Sequence, residues 1–346
     1  MSTLTHKQKV QLAVGGLLAV ALLAWFLHGQ KWSEIGAAFG RAKIGYLVGL
    51  VVATIAAYLV RAARWGLLYR PLAKVPYRDL LSATYVGFMS ALLVPRSGEV
   101  LRPYLIARKH PVSTSAGFAT IILERLIDLI TVLVLFALYL YILPLPEQQV
   151  RGPLLDRLRI VGAVVPLGAV AVLAVLVAFH LNPERALSIS DRVLARLPER
   201  LSRPFRQLLK SFADGLAVFK APAVLWLAIF AQSFVLWLLI AYGFYLNNLA
   251  FGIVLPMHST FLLLACLTVG VAIPTPGNIG GFHKAYQAAM VQAFLVPDEV
   301  ASAAGIASHA LTNLPVLFLG LAFLASEGLT MGKVAELAGS EGEKAS

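Results

Sequence analysis

Apolar residues run through the chain in nine long segments that are separated by shorter polar stretches. The segments cover residues 10–27, 45–60, 80–94, 117–143, 160–179, 222–245, 259–273, 280–295 and 299–325. Most of them approach the ~20 apolar residues that a helix needs to cross about 30 Å of hydrocarbon. The pattern predicts an all-α integral membrane protein that forms a single transmembrane domain over residues 1–346.

Two of these segments are too short for a full crossing. Segments 80–94 and 259–273 each run into a proline that is followed three residues later by glycine: Pro95 with Gly98, and Pro274 with Gly277. Non-helical backbone at membrane depth is tolerated only inside the protein or beside a water-filled cavity. Each short segment is therefore predicted to turn back as a re-entrant helical hairpin.

The two Pro-x-x-Gly sites lie 179 residues apart, and the flanking apolar segments recur at nearly the same distance. This spacing predicts two copies of one unit, repeat one over about 10–143 and repeat two over 159–179 plus 222–325. A basic insert at about 180–221 interrupts the second copy and has the pattern of an amphipathic helix. The tail 326–346 is expected to be frayed.

Charge then predicts the orientation. Only 13% of the residues are charged, against about 25% in soluble domains, and the net charge is +12. The basic residues concentrate in loops 61–79 and 180–221, which places these loops on the cytoplasmic side. This pattern predicts an inverted repeat with about six full spans plus two re-entrant hairpins. Both termini are then cytoplasmic, in a prokaryotic cytoplasmic (inner) membrane. Basic loops beside spans face anionic lipids, so nucleic acid is not an expected partner.

The first hairpin carries charges beside its break. Arg96, Ser97, Glu99 and Arg102 surround the predicted turn. Helix N-termini inside a bilayer attract anions, and a guanidinium group presents paired donors that fit a phosphate. These residues are therefore candidates for binding a lipid headgroup. The alternative is structural: Arg96 pairs with Glu99, or with an acid of the next segment, and locks the hairpin.

The next segment supplies such acids. Glu124 and Asp128 are four residues apart and share a helix face, with Arg125 beside them. A charge this far inside an apolar span costs at least about 2.5 kcal/mol, so each should face the protein interior and be paired. Arg96, Arg102 and Arg64 are candidate partners. The alternative to structural pairing is that one of the two carboxylates takes part in proton coupling.

The second half offers further polar and glycine positions. They are Gly277, Asn278, Gly280, His283 and Lys284 near the second break, with His309 and Asn313 one turn apart on the last segment. Closely spaced glycines allow a backbone to approach a headgroup. These residues are expected to line a polar cavity. The simpler interpretation of each histidine is a structural role through hydrogen bonds. No catalytic residue, metal site or cofactor is predicted, and the single cysteine, Cys266, excludes an intrachain disulfide.

Three sequence stretches carry a resemblance to a known family. They are "MSALLVPRSGEVLRPYLIARKHPVSTSAGFATIILERLIDLI", "PTPGNIGGFHKAYQAAMVQAF" and "HALTNLPVLFLG". The chain resembles the lysylphosphatidylglycerol synthase transmembrane region, also called the flippase-like domain, over about residues 45–325. The resemblance implies a membrane protein that moves lipids between leaflets. Its best-known members also have a soluble aminoacyltransferase domain. None is found in these 346 residues, so aminoacylation is not expected.

The chain departs from this family at two positions. Members often have Glu where this chain has His283, and Arg where it has His309. Loss of both members of an opposite-charge pair indicates a divergent subgroup, and the resemblance therefore does not identify the lipid.

The favoured function is a flippase-like transporter for an anionic phospholipid or a polyprenyl-phosphate or glycan-linked lipid. No P-loop is present, so transport would be downhill or ion-coupled. One alternative is a non-catalytic scaffold or regulatory subunit that partners a synthase or glycosyltransferase. A second is an intramembrane lipid-modifying enzyme. It lacks support, because H-E-x-x-H and G-x-S-x-G are absent and Ser97 and Cys266 have no general base beside them. The oligomeric state stays open.

Overall fold

The computed structural model describes residues 17, 20–28, 30–144, 160, 221–272 and 275–328, and this part of the chain is helical without β-strands. Its helices are α1 (Trp32–Gly40), α2 (Ile44–Tyr69), α3 (Tyr77–Leu93), α4 (Ser97–Ala107), α5 (Thr114–Tyr141), α6 (Ala223–Ala250), α7 (Ser259–Gly270), α8 (Gly281–Ala288) and α9 (Asp298–Ser326). A short 3-10 turn (Pro276–Asn278) precedes α8, and a π-helical turn (Ala289–Ala293) follows it. Residues 20–27 are also helical. The all-α class is confirmed for these residues.

Within the described chain, α2, α6 and α9 are long and apolar enough to cross a membrane. α5 has a similar length of 28 residues and begins at Ser113, whose hydroxyl accepts the Ala116 N–H at 3.1 Å. It differs in carrying three charged residues near its middle, Glu124, Arg125 and Asp128. That part of α5 must therefore be surrounded by protein rather than lipid. The total of six spans stays a prediction.

α3 and α4 form the first hairpin, with a non-helical turn at residues 94–96 between them. The side chains of Asp79 and Lys109, at the outer ends of the two legs, are 3.0 Å apart, so the chain returns to the side it came from. The legs touch at Gly87 and Gly98, where a Cβ on Gly98 would collide with the carbonyl oxygen of Gly87. Two glycines thus allow a contact that no side chain would permit.

α7, the 3-10 turn and α8 form the second hairpin, and it is closed in the same way. A Cβ on Gly281 would collide with the carbonyl oxygen of Gly270. Gly270 and Gly281 each follow their counterparts in the first hairpin, Gly87 and Gly98, by 183 residues. The same backbone contact recurs 183 residues further along the chain, which supports the predicted repeat.

The two hairpins approach from opposite ends of α5. The base of the first leads directly into the N-terminal end of α5. The base of the second packs at the other end, where the Tyr139 ring lies 6.1 Å from His258 and 6.5 Å from Phe294. The tips meet, since a Cβ on Gly277 would lie 3.7 Å from the Leu92 carbonyl oxygen. Opposed hairpins are what an inverted repeat requires; the inversion itself stays a prediction.

α2 and α6 pack along each other in opposite directions. The backbone N–H of Lys43, just before α2, donates to the carbonyl of Ala250 at the end of α6, at 3.0 Å. Further along the pair, Arg64 of α2 donates to the hydroxyl of Ser233 in α6 at 2.6 Å. This pair forms one wall against which α5 places its charged face.

The boundary predicted for the second segment is wrong. The apolar run ends at Val60, but α2 continues to Tyr69, so Arg61 and Arg64 are buried in a helix and do not belong to a cytoplasmic loop. Carboxylates on a neighbouring helix pair with both guanidinium groups, and a one-dimensional hydropathy pattern does not contain such partners. Of the predicted loop 61–79, only residues 70–76 lie between α2 and α3.

Residues 30–44, a polar stretch between two apolar segments, contain α1. Lys31, just before α1, lies 2.9 Å from Glu299 in the first turn of α9. This hydrogen bond raises the pKa of Lys31 above its usual value, with Glu34 as a second contributor.

α6 continues past the apolar segment 222–245 to Ala250. Asn247 is therefore buried at the end of α6 and donates to the Tyr286 hydroxyl at 3.0 Å.

Several predictions fall outside the described residues. They concern most of the first span 10–27, the span 160–179 except Ile160, the amphipathic helix within 180–221 and the frayed tail after residue 328.

Gly98→Ala is expected to destabilise the first hairpin, because its methyl group would meet the backbone of Gly87. Overpacking of this kind costs about 1–3 kcal/mol. The measurement is thermal unfolding of the purified protein in detergent. Gly45→Ala is the matched control, because no atom lies within 4 Å of its added methyl group. Equal unfolding temperatures for the two variants would contradict the close packing of the legs.

The hairpin arrangement also predicts accessibility. In a Cys266→Ser background, single cysteines at Lys74 and Arg108 should react with an impermeant thiol reagent from the same face of the membrane, because α3 and α4 return to one end. A cysteine at Lys43 should react from the other face, because α2 separates it from Lys74. All three positions are exposed. Labelling of the Lys74 and Arg108 positions from opposite faces would show that α3 and α4 cross as two spans.

Candidate functional site

Helical spacing places opposite charges on facing sides of α2 and α5. Arg61 and Arg64 are three residues apart on α2, while Glu124 and Asp128 are four apart on α5, so each pair shares one helix face. All four side chains are buried. The two faces meet directly, with 2.6 Å between Arg64 Nη1 and Asp128 Oδ1. This contact joins the two charged faces.

Arg102 of α4 and Glu124 of α5 form a two-pronged ion pair. Arg102 Nη1 and Nη2 donate to Glu124 Oε1 and Oε2 at 2.8 and 3.0 Å. The side chains are 1% and 0% exposed, and the Arg102 guanidinium also lies 4.2 Å from the centre of the Trp65 ring. The pairing of Arg102 with an acid of the next segment is thereby confirmed. This ion pair holds α4 against α5.

Asp128 is the second charged centre. Besides Arg64, its carboxylate lies 3.2 Å from Arg61 Nη1 and accepts the indole N–H of Trp237 at 3.0 Å. Asp128 therefore receives donors from both α2 and α6. A carboxylate with three donors is held ionised in a buried position at lower cost than one with a single partner.

A cavity of ≈ 450 Å³ lies beside these charges, at the level of the hairpin tips. Its charged and polar lining residues are Tyr58, Arg61, Arg96, Glu99, Arg102, Arg125, Asp128, Trp237, Thr268, Asn278 and Asn313. Apolar residues such as Leu92, Val271 and Val316 complete the wall. The cavity thus combines four guanidinium groups with an apolar border, and both hairpins and α9 contribute to it.

Three of the four arginines in the cavity wall have fewer or longer contacts to carboxylates than Arg102 has. Arg61 donates one hydrogen bond, to Asp128 at 3.2 Å, and lies 3.7 Å from Glu124. Arg125 is 3.9 Å from both Glu99 and Asp128, beyond hydrogen-bond distance. Arg96 has no ion pair or hydrogen bond from its side chain within the described chain. These three groups keep donors that a ligand can use.

Phe88 of α3 organises the same wall. The guanidinium carbons of Arg61, Arg102 and Arg125 lie 5.1, 5.3 and 5.4 Å from the centre of its ring. Cation–π attraction acts within about 6 Å, so one ring helps to hold three like charges in a small volume.

Both hairpin tips place a residue with left-handed backbone at the cavity. Arg96 has φ 64° and Asn278 has φ 56°. Asn tolerates this conformation, whereas for Arg it is uncommon, and strain of this kind clusters at functional sites. Arg96 also immediately precedes α4, whose positive N-terminal end therefore points to the cavity wall at Gly98 and Glu99.

The structure brings seven of the sequence-predicted site residues together in the cavity wall. They are Arg96, Glu99, Arg102, Arg125, Asp128, Asn278 and Asn313. Glu124 lies behind Arg102, and Ser97 donates to Ser90 at 2.9 Å in the hairpin interior. Gly277 forms the second hairpin tip beside Leu92 and does not line the cavity itself.

Gly280, His283, Lys284 and His309 are not in the lining of this cavity. Gly280 packs against Leu22 of the helical residues 20–27, where a Cβ would collide. Lys284 donates to Gln287 at 2.8 Å. A headgroup in the cavity would therefore not contact these residues, although the sequence placed them together with the others.

His283 and His309 contact each other, with 4.5 Å between their ring centres. The family resemblance leads one to expect Glu and Arg at these two positions. The two side chains are in contact here, but they do not form an opposite-charge pair. His309 Nε2 also lies 2.7 Å from the Gly277 carbonyl oxygen and so donates to it. This hydrogen bond anchors the tip of the second hairpin to α9.

Arg61, Phe88, Tyr58 and Trp237 were missed by sequence reasoning. Arg61 was assigned to a loop, and the three aromatic residues are indistinguishable from ordinary apolar positions. A usable signal exists only for Arg61: its three-residue spacing from Arg64 matches the helical spacing of Glu124 and Asp128.

Removing either member of the Arg102–Glu124 pair should unfold the protein at markedly lower temperature. Arg102→Ala or Glu124→Gln leaves the partner charge buried without compensation, at a cost of about 3–5 kcal/mol. The double variant should recover part of this loss, giving a coupling of at least about 1 kcal/mol in a double-mutant cycle. Arg125→Ala is the comparison, since its partners are 3.9 Å away and its side chain is 40% exposed. Additive effects at Arg102 and Glu124 would argue against the pair.

Comparison with known proteins places this architecture. The model of the lysylphosphatidylglycerol synthase TM region matches residues 12–320. A UPF0104 membrane protein of Methanothermobacter thermautotrophicus is 26% identical over 297 residues, which cover 80% of this chain and 82% of that protein. Glycosyltransferase AglD of Haloferax volcanii is 29% identical over 131 residues, which cover 36% of this chain but only 20% of that protein.

The family model extends over nearly the whole helical domain, and it includes both hairpins and the helices that supply the arginines and carboxylates of the cavity. The chain is therefore a multi-pass membrane protein that belongs to the lysylphosphatidylglycerol synthase TM region family.

Proposed function

We propose that this protein is a flippase-like transporter that moves an anionic lipid between membrane leaflets through the cavity at the hairpin tips. Membership of a membrane family associated with lipid synthesis makes a lipid the expected ligand class. The observation that carries the proposal is a cavity lined by four arginines and bordered by apolar residues. An anionic headgroup suits the first feature, and the start of an acyl or prenyl chain suits the second.

The size and position of the cavity fit this role. Its volume of ≈ 450 Å³ is within the range of about 300–1,000 Å³ typical of small-ligand sites and accommodates a phosphate with a small substituent. Its lining includes residues on either side of both helix breaks, Arg96 and Asn278 among them. Discontinuous helices that meet near the membrane midplane are the usual substrate site of transporters built from repeats.

Different arginines have different tasks in this proposal. Arg102 and Arg64 each have a close carboxylate and hold the helices together. Arg61, Arg96 and Arg125 receive the headgroup, because none of them has a close carboxylate of its own. Arg61 shares Asp128 at 3.2 Å, Arg125 is 3.9 Å from its nearest carboxylates, and Arg96 has no ion pair in the described chain. A bound phosphate would replace Asp128 and Glu99 as the partner of Arg61 and Arg125. The two carboxylates in turn would compete with the ligand and help it to leave.

The placement in the membrane is part of the proposal. Six spans and two re-entrant hairpins, as an inverted repeat, put the base of the first hairpin on the cytoplasmic side and that of the second on the outer side of a prokaryotic cytoplasmic membrane. Both termini are then cytoplasmic. The opposed approach of the hairpins to α5 supports the inversion, and the basic loops support the cytoplasmic side.

Of the two carboxylates on α5, Asp128 is the better placed for ion coupling, since it lines the cavity while Glu124 lies behind Arg102.

One specific observation favours a second candidate function. The partial similarity to a protein named glycosyltransferase AglD suggests a glycosyl-lipid system, in which this chain would act as a non-catalytic partner of an enzyme. In that case the cavity would hold a lipid without moving it. A direct transport measurement separates the two candidates. We do not propose an enzyme, because no serine, cysteine or histidine is among the cavity-lining residues that the structure describes.

Arg96→Gln should strongly reduce transport without destabilising the protein. No carboxylate of the described chain depends on Arg96, so its loss leaves no uncompensated charge. Loss of one guanidinium–phosphate contact should lower the rate at least about tenfold. The measurement is leaflet exchange of short-chain fluorescent lipids with anionic headgroups in proteoliposomes of purified protein, compared at equal protein amounts.

Arg78→Gln is the matched control, because Arg78 is an exposed arginine on the first turn of α3, away from the cavity. It should transport at the wild-type rate. Undiminished exchange by Arg96→Gln would place the lipid path elsewhere, and absence of exchange by the wild-type protein would favour the partner role.

A further inference from the structure

The charges of the described residues around the cavity do not balance. Counting the lining residues and the buried groups that pair with them, there are five guanidinium groups and three carboxylates. The guanidinium groups belong to Arg61, Arg64, Arg96, Arg102 and Arg125, and the carboxylates to Glu99, Glu124 and Asp128. This leaves an excess of two positive charges. No lysine, histidine or further acid is among the cavity-lining residues of the described chain.

The excess is localised on the side of the ligand. Arg102 with Glu124, and Arg64 with Asp128, are matched one to one at 2.6–3.0 Å. Arg61 shares Asp128 with Arg64, at 3.2 Å. Glu99 is then the one remaining carboxylate of the described residues around the cavity, and it comes no closer than 3.9 Å to Arg125. In a medium of low dielectric constant, uncompensated like charges repel strongly and attract an anion of matching charge.

Unused donors point to the same conclusion. Arg61 and Arg102 both line the cavity, and their side chains are 9% and 1% exposed. The Nε–H group of each has no hydrogen-bond acceptor among the described residues, and neither has that of Arg125. A buried guanidinium N–H without an acceptor is costly, so a ligand that supplies several oxygens is favoured.

We infer that the headgroup is a terminal phosphate, a phosphomonoester that carries two negative charges, rather than a phosphodiester with one. This inference rests on the proposed function and specifies its substrate class. A phosphomonoester is close to doubly charged at pH 7 and presents three acceptor oxygens. The two negative charges match the excess of two positive charges. The three oxygens match the three arginines that lack a close carboxylate of their own. A phosphodiester offers a single charge and two unsubstituted oxygens.

The test measures binding to the full-length protein in nanodiscs of zwitterionic lipid at pH 7.5. Dioctanoyl phosphatidic acid and farnesyl phosphate are the two phosphomonoester probes, and they distinguish a glycerolipid source from a prenyl source. Dioctanoyl phosphatidylglycerol is the phosphodiester probe. At least one phosphomonoester should bind about tenfold or more tightly than phosphatidylglycerol. Lowering the pH to 5.5 should weaken phosphomonoester binding several-fold, because the second proton binds with a pKa of about 6.

Phosphatidylglycerol keeps one charge over this pH range, so it controls for titration of the protein groups that face the cavity, among them Glu99, Asp128 and Tyr58. Two variants, one with a smaller and one with a larger excess positive charge than the wild type, complete the test. Arg96→Gln lowers the excess to one and should abolish most of the preference, whereas Glu99→Gln raises it to three and should tighten phosphomonoester binding. Arg78→Gln should leave the preference unchanged. A purely structural role of Glu99 would not produce tighter binding.

The outcomes separate this inference from the proposed function. Equal affinity for all three probes, weakened equally by Arg96→Gln, would overturn the phosphomonoester assignment while leaving an anionic-lipid site in place. Binding of all probes that is insensitive to Arg96→Gln and Glu99→Gln would overturn both, because the cavity would not be the site. A preference for a phosphomonoester that falls with pH and follows the two variants supports both.

Discussion

Burial of two carboxylates inside α5 is the constraint on which the rest of the structure depends. Glu124 and Asp128 lie in the middle of an apolar helix, where an unpaired charge would cost several kcal/mol. Their partners come from different elements: Arg102 from α4, Arg64 from α2 and Trp237 from α6. Buried ion pairs rarely stabilise a protein more than apolar packing does. Their effect here is on position, because satisfying two carboxylates fixes four helices relative to one another.

The glycine pairs of the two hairpins meet a second requirement. An interrupted helix inside a membrane exposes backbone groups, which must be covered by protein or by a polar cavity. Close packing at Gly87 with Gly98, and at Gly270 with Gly281, makes each hairpin narrow enough to enter the bundle from one end. Because the hairpins enter from opposite ends, their open tips meet in the middle, where the cavity is lined by both. The helix breaks therefore face the polar cavity rather than lipid.

The charged residues divide into two groups that the same region of the fold holds close together. Arg64 and Arg102 each have a close carboxylate, whereas Arg61 shares Asp128 at 3.2 Å, and Arg96 and Arg125 have no hydrogen-bonded carboxylate in the described chain. The structural pairs keep the unmatched arginines together by fixing α2, α4 and α5, and the Phe88 ring reduces the repulsion within this second group. In the proposed function, a lipid headgroup balances this charge, which would link its binding to the geometry of the hairpin tips.

Much of this could be predicted from the sequence, for identifiable reasons. The apolar segments, the Pro-x-x-Gly breaks and the four-residue spacing of Glu124 and Asp128 are local features, so they indicated the helices, the hairpins and the need for buried partners. The spacing between the two repeats can also be read directly from the sequence. Only the tertiary structure decided that α2 continues past Val60 to bury Arg61, that His283 and Gly280 lie outside the cavity wall, and that Arg102 has a close carboxylate while Arg96 does not. Whether a charge is paired depends on distances between helices that are far apart in the chain, and hydropathy and spacing do not contain those distances.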